Sequence, residues 1–170
     1  MSIQRIALIF ALPFAALYGQ PTSPVVPVRE VDGFARTSIR GLCLTVVNVG
    51  QENSGFDPCA LRTTAGAPLN SLVPDKKILV IEEVSARCTR GSLDAFAEVS
   101  VNASGATTLR IIPLTTQGTA GGVTRDAGFT AGRIYFWAGE EVGNRVTMVA
   151  PASQQANCVA VVSGYLVDVQ

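Results

Sequence analysis

"KKILVIEEVSARC", Lys76–Cys88, is the stretch whose reading decides the fold. Ile78 to Ile81 is apolar at every position, as expected of a strand near the centre of a sheet sandwich with both faces covered, and Glu82 and Glu83 then interrupt the run. A helix is the competing reading, since Lys, Glu and Leu are tolerated in one. It is set aside because β-branched residues crowd the segment and "VPD", Val73–Asp75, stands at its entrance.

Outward from this strand the chain repeats the same grammar. "GLCLTVVNVG" (41–50) reads as a strand that stops at glycine, and "QENSGFDP" (51–58) supplies Asn, Ser, Gly, Asp and Pro for a loop. In "AFAEVSVNA" (95–103), Phe96, Glu98 and Ser100 alternate with Ala97, Val99 and Val101, and "NASG" closes the strand as a turn toward a hairpin partner, "TTLRIIPL" (107–114). Pro113 places the end of that partner at a sheet edge or bulge. The Gly-, Thr- and Ala-rich "TTQGTAGGVTRDAGFTAG" (115–132) reads as a loop or several short irregular pieces. "RIYFWAG" (133–139), "NRVTMVA" (144–150) and "CVAVVSGYLVDV" (158–169) complete seven or eight strands, and Gly164 within the last marks a bulge or a close backbone approach. With no sustained helical period, the fold expected is all-β: an antiparallel β-sandwich, jelly-roll-like, with two disulfides.

The first 19 residues, "MSIQRIALIFALPFAALYG", combine a basic Arg5 with an apolar run too short to span a bilayer, which suits a secretory signal peptide cleaved after Gly19. Residues 20–37 form a Pro-rich leader and 38–170 one β-sandwich domain, large enough to bury a full core. Four cysteines, Cys43, Cys59, Cys88 and Cys158, make an even set in a chain read as exported, so two disulfides are expected in a secreted or periplasmic protein. Three connectivities are open; Cys43–Cys59 and Cys88–Cys158 are preferred. A Cys₄ zinc site would want a CxxC pair, and none is present.

Acidic and basic residues balance at 13 each, so bulk charge recruits neither nucleic acid nor acidic lipid. No membrane span is expected after processing, since the remaining apolar runs are short and broken by charge. The absence of histidine removes Ser-His-Asp and Cys-His catalysis and histidine-bearing zinc centres. What remains is carboxylate chemistry, oxygen-ligand metals and binding without reaction. Glu82, Glu83 and Glu98 are the carboxylates that a glycosidase pair would draw on, and Glu52, Asn53 and Asp57 the loop oxygens available to calcium, without the D-x-D-x-D-G order. Tyr135 and Trp137 fall on one face of "RIYFWAG" and Phe136 on the other. The pair is the candidate binding site, a stacking platform for a sugar or protein partner, although one of the two faces must supply core.

The segments "SLVPDKKILVIEEVSA", "GRIYFWAGEEV" and "VAVVSGYLVD" resemble a loose group of small exported bacterial β-proteins with a "VPxGKxLVIExVS"-type strand, a "YAxPG"-like turn and a closing "SGYLVD" strand. In this chain Asp75 and Lys76 replace the small residues of that pattern, and "FWAGEE" replaces its Pro-Gly turn. The resemblance implies a fold and an export route, not an activity. The function expected is therefore that of a non-catalytic binding or structural protein without a cofactor, its partner an unknown surface glycan or protein, and a homo-oligomer being one form it could take. The alternative is a small carboxylate-dependent glycoside hydrolase.

Overall fold

The computed structural model describes residues 36–104 and 109–169. The segment read as a signal peptide, and the expected leader up to residue 35, lie outside them. The strands are β1 (Thr37–Val47), β2 (Asp57–Pro58), β3 (Ala60–Thr63), β4 (Pro68–Asn70), β5 (Lys77–Gly91), β6 (Phe96–Ala103), β7 (Leu109–Ile111), β8 (Leu114–Ala120), β9 (Val123–Phe136), β10 (Val142–Met148) and β11 (Ala156–Asp168). They form a seven-stranded sheet, β4-β3-β1-β11-β5-β9-β8, and a four-stranded sheet, β2-β10-β6-β7. With the accessory strands β3, β4 and β8 set apart, the eight that remain are dealt between the sheets. The first, eighth, third and sixth pair in one, and the second, seventh, fourth and fifth in the other. Two interleaved Greek keys of this kind make a jelly roll, so the expected class holds.

The decisive stretch is the middle of β5, which runs between β11 and β9 in the larger sheet. Leu79 and Ile81 enter the core, and so do Val84, Ala86 and Cys88. The parity changes between these sets, and the two glutamates explain how. Ile81 pairs with Gly164 and Glu83 with Ser163, leaving Glu82 as the extra residue of a β-bulge. The interruption seen in the sequence is thus a register device that turns both halves of a 15-residue strand inward. Gly164 sits at this bulge, where a Cβ would lie 1.9 Å from the Val80 carbonyl oxygen.

Core side chains of the larger sheet, including Ile39, Leu79, Ile81, Phe136 and Val162, meet Val99, Val101, Val142, Val146 and Met148 of the smaller one. One polar link crosses between the sheets: the buried Asn144 amide donates to Thr45 Oγ1 at 3.0 Å. Cys43 joins Cys59 at the point where the chain passes from β2 to β3, and Cys88 joins Cys158 directly opposite it across β5 and β11. Both preferred pairings are present. At one end of the sandwich the buried Asp126 accepts from Arg90 Nε at 2.7 Å and from Thr116 Oγ1 at 2.6 Å. Arg90 also donates to the Asp94 carbonyl, and the Asp94 carboxylate takes the backbone N–H groups of Ser153 and Gln154. Burial pushes the Asp94 carboxyl up, but these hydrogen bonds outweigh it and hold the group below its ordinary value.

Three sequence expectations need correction. Residues 115–132 are not a loop: they hold most of β8 and β9, joined by Gly121 and Gly122 at φ of 57° and 76°. Two successive left-handed residues between the paired Ala120 and Val123 make the two-residue hairpin turn that matches strand twist. The alternation in 95–103 is also broken. Met148 pairs with Phe96 and Thr147 with Glu98, so Ala97 bulges out and Phe96 packs on the core beside Val99 rather than across from it. The first strand starts at Thr37, not at Gly41, one residue inside the segment assigned to the leader.

Lys76 enters β5 with φ of 57°, a conformation that costs an L-residue about 1 kcal/mol or more. Its side chain is exposed. Lys76→Gly is therefore expected to raise stability by about 0.5–1 kcal/mol, read as a higher urea midpoint at unchanged m-value.

Candidate interaction face

The two sheets differ in how their outer faces are finished. On the smaller sheet Ser100 and Asn102 alternate with the core-facing Val99 and Val101, yet both are buried. The Phe56 ring lies over Gly143, the partner of Asn102, so close that a Cβ there would meet it at 2.4 Å. Phe56 thus covers part of that face, while Ile111 beside Ser100 is 53% exposed.

The larger sheet has an open face. Register aligns Leu42, Val161, Ser85 and Phe129 in one cross-strand row, and Leu44, Val159, Arg87 and Ala127 in the next. Leu42 is 51% exposed, Leu44 61% and Phe129 57%, with Val159 and Val161 also well exposed. Aliphatic side chains are favoured on strands because they pack against cross-strand neighbours, and here they do so sideways while staying exposed. Arg40 and Arg62 stand directly opposite each other at the margin. Three to five adjacent large apolar groups on a flat sheet make the kind of patch that soluble surfaces ordinarily restrict to contact sites.

Beyond the bulge the same face bears Tyr165, Val80 and Tyr135 in a row. Val80 is buried there although it is outside the main core, and the Arg36 guanidinium lies 4.7 Å from the Tyr165 ring centre. Tyr135 and Trp137 are both outward and exposed, while Phe136 is fully buried. Phe136 supplies the core of "RIYFWAG", and the aromatic pair lies outside it. Trp137 lies just past the end of β9, where its N–H donates to Glu140 Oε2 at 2.7 Å and Gly139 takes φ of 81° to turn the chain.

Of the carboxylates raised by the sequence, Glu82 and Glu83 line one depression of about 500 Å³, and Glu98 stands apart from them. Glu82 pairs with Arg133 at 3.4 Å and Glu83 accepts from Ser163 Oγ at 3.3 Å, both at the bulge of the larger sheet. Glu98 is on the smaller sheet, opposite Thr147. In the calcium-candidate loop, Asn53 Oδ1 accepts from Gly55 N–H, the Glu52 carbonyl accepts from Met148 N–H, and Asp57 pairs in β2 with Asn144. Among the described residues no three acidic, histidine or cysteine side chains are grouped as metal ligands. The open face itself was missed by the sequence reading, although the alternating Leu42, Leu44 and Val46 in β1 carry its signal.

No family model matches the chain, and no curated protein matches it. Among solved structures it is similar to the cryo-EM structure of the giant freshwater prawn Macrobrachium rosenbergii extra small virus (XSV) VLP. The identity is 16% over 95% of this chain and 94% of that chain, with a TM-score of 0.28. At that TM-score the likeness carries no inference about function.

Proposed function

We propose that the protein is a non-catalytic jelly-roll module, exported to the cell surface or periplasm, that works by contact through the outer face of its larger sheet. The observation that carries this reading is the exposed apolar pair of rows, Leu42–Val161–Phe129 and Leu44–Val159. Two disulfides support an oxidising compartment, where such bridges persist. No helix among the described residues is long and apolar enough to cross a membrane. The resemblance to small exported bacterial β-proteins agrees with this placement.

A glycan array and a pull-down from surface extract, each run with the wild type and with a Leu44→Asp/Val161→Asp variant, test the reading. Exposed positions of this kind change stability little, so the variant should keep its thermal midpoint within a few degrees and lose the partner. A partner held equally by both proteins would reject the face. Turnover of a polysaccharide that disappears in Glu98→Gln would reject the non-catalytic assignment.

Self-association is proposed through a second surface, the edge of the larger sheet. β8 is an edge strand whose seven residues, "LTTQGTA", carry no charge and no proline, and such edges template pairing with another chain. Light scattering at rising concentration should give a dimer mass that returns to monomer in Thr115→Lys. A monomer mass throughout removes the prediction.

A further inference from the structure

One part of the open face is concave and carries two arginines. A depression of about 480 Å³ lies over β11, β5, β9 and β8, with Arg87, Thr89, Arg125, Asn157, Gln117 and Val159 at its walls. Arg87 pairs with Ala127 and Thr89 with Arg125, so the two arginines are diagonal neighbours on one face. Diagonal neighbours stand about 7–8 Å apart at the backbone, within reach of long side chains. Neither guanidinium has an ion pair or hydrogen bond among the described residues. Asp126, which follows Arg125 in sequence and also borders the depression, is buried and held by Arg90.

Two unpaired like charges side by side repel, and folding gains nothing from placing them so. An oxyanion between them reverses the sign, since each guanidinium offers a planar fork of N–H donors matched to sulfate or carboxylate oxygens. We propose that Arg87 and Arg125 form a binding site for the sulfate or carboxylate groups of an acidic polysaccharide. The neutral polar side chains at its walls favour sugar. The Asn157 amide, the Thr89 hydroxyl and the Gln117 amide can each exchange hydrogen bonds with hydroxyls beside the charge. No aromatic side chain lines the depression, so the bases of a nucleic acid would find no stacking surface there. The proposal rests on the reading of this face as a contact surface and names the chemistry of the partner.

The experiment uses the full chain as exported and four probes in calorimetry at low and physiological salt: a heparin-derived octasaccharide, an oligogalacturonate, a neutral cello-oligosaccharide and a single-stranded oligonucleotide. One or both acidic saccharides should bind and raise the thermal midpoint, the neutral one should not, and the two acidic arms separate sulfate from carboxylate. Arg87→Gln and Arg125→Gln should each weaken binding at least tenfold, and the double variant should abolish it. The unliganded thermal midpoint should stay level or rise as the repulsion is relieved. The proposal is overturned by binding that survives the double variant, by silence of both acidic saccharides, or by tighter binding of the oligonucleotide through the same arginines. Silence here with a partner still lost in Leu44→Asp/Val161→Asp would remove only the oxyanion site. Silence here with no loss in that variant would remove the face as well.

Discussion

Gly164→Ala is expected to destabilise the protein by more than about 3 kcal/mol, above the usual range for an overpacked core. The added methyl would lie 1.9 Å from the Val80 carbonyl oxygen and 2.9 Å from Ile81 Cα. Both are backbone atoms of the neighbouring strand, so no side-chain rotation can relieve the clash. β11 would have to withdraw from β5 at the bulge, where Gly164 pairs with Ile81. That withdrawal would disturb a strand with neighbours on both sides and would expose Val162 and Leu166, which are buried on either side of the glycine. Urea denaturation reads the effect as a lowered midpoint. A loss under 1 kcal/mol would mean that the bulge can open locally. By comparison Gly118→Ala, where no atom lies within 4 Å, carries only backbone strain from φ of 156°.

Cys158→Ser is expected to cost about 2–5 kcal/mol, the range for loss of a native bridge in a small secreted domain. The bridge closes a sequence separation of 70 residues, against 16 for Cys43–Cys59. In the chain-entropy description the wider closure restricts the unfolded state more, by somewhat over 4 kcal/mol against about 3. Cys158 is also fully buried, so the serine hydroxyl would need a partner in an apolar setting. Guanidinium titration of the variant, beside Cys43→Ser, should rank Cys158→Ser as the more destabilised of the two. Removing Val169 alone with the terminal residue should cost little, because Val169 is exposed and lies beyond β11.

The architecture was legible in the sequence wherever a strand had one face in the core. β5, β10 and β11 announce themselves through β-branched runs, and the even set of cysteines with one glycine in the last strand pointed to the bridges and the bulge. β8 and the first half of β9 were illegible for a physical reason. Lying at or beside a sheet edge and largely exposed, they are built from Thr, Gly and Ala, whose composition reads as loop. The Gly121–Gly122 pair was the one usable signal, since two adjacent glycines flanked by Ala and Val suit a tight hairpin. Of the site, the sequence indicated that Tyr135 and Trp137 share a face but could not say which face is outside. The diagonal of Arg87 and Arg125 depends on the register between β5 and β9, to which strand patterns are blind. The separation of Glu98 from Glu82 and Glu83 likewise needed the assignment of strands to sheets.

The position of β11 bears on how the molecule comes into being. It is the final strand in chain order and yet occupies a central slot, between β1 and β5. While the nascent chain is still being translated, β1 and β5 therefore have no common neighbour, and the larger sheet cannot close. Cys43 and Cys59 emerge 16 residues apart and can join early, whereas Cys88 waits for a partner 70 residues behind it. At about 5–20 residues per second that wait lasts several seconds. During it Cys88 is a free thiol whose thiolate fraction can attack the earlier bridge and exchange partners. Early closure of Cys43–Cys59 is thus also a constraint on the order of oxidation: a cell that makes this protein must either delay that reaction or undo its errors when Cys158 arrives.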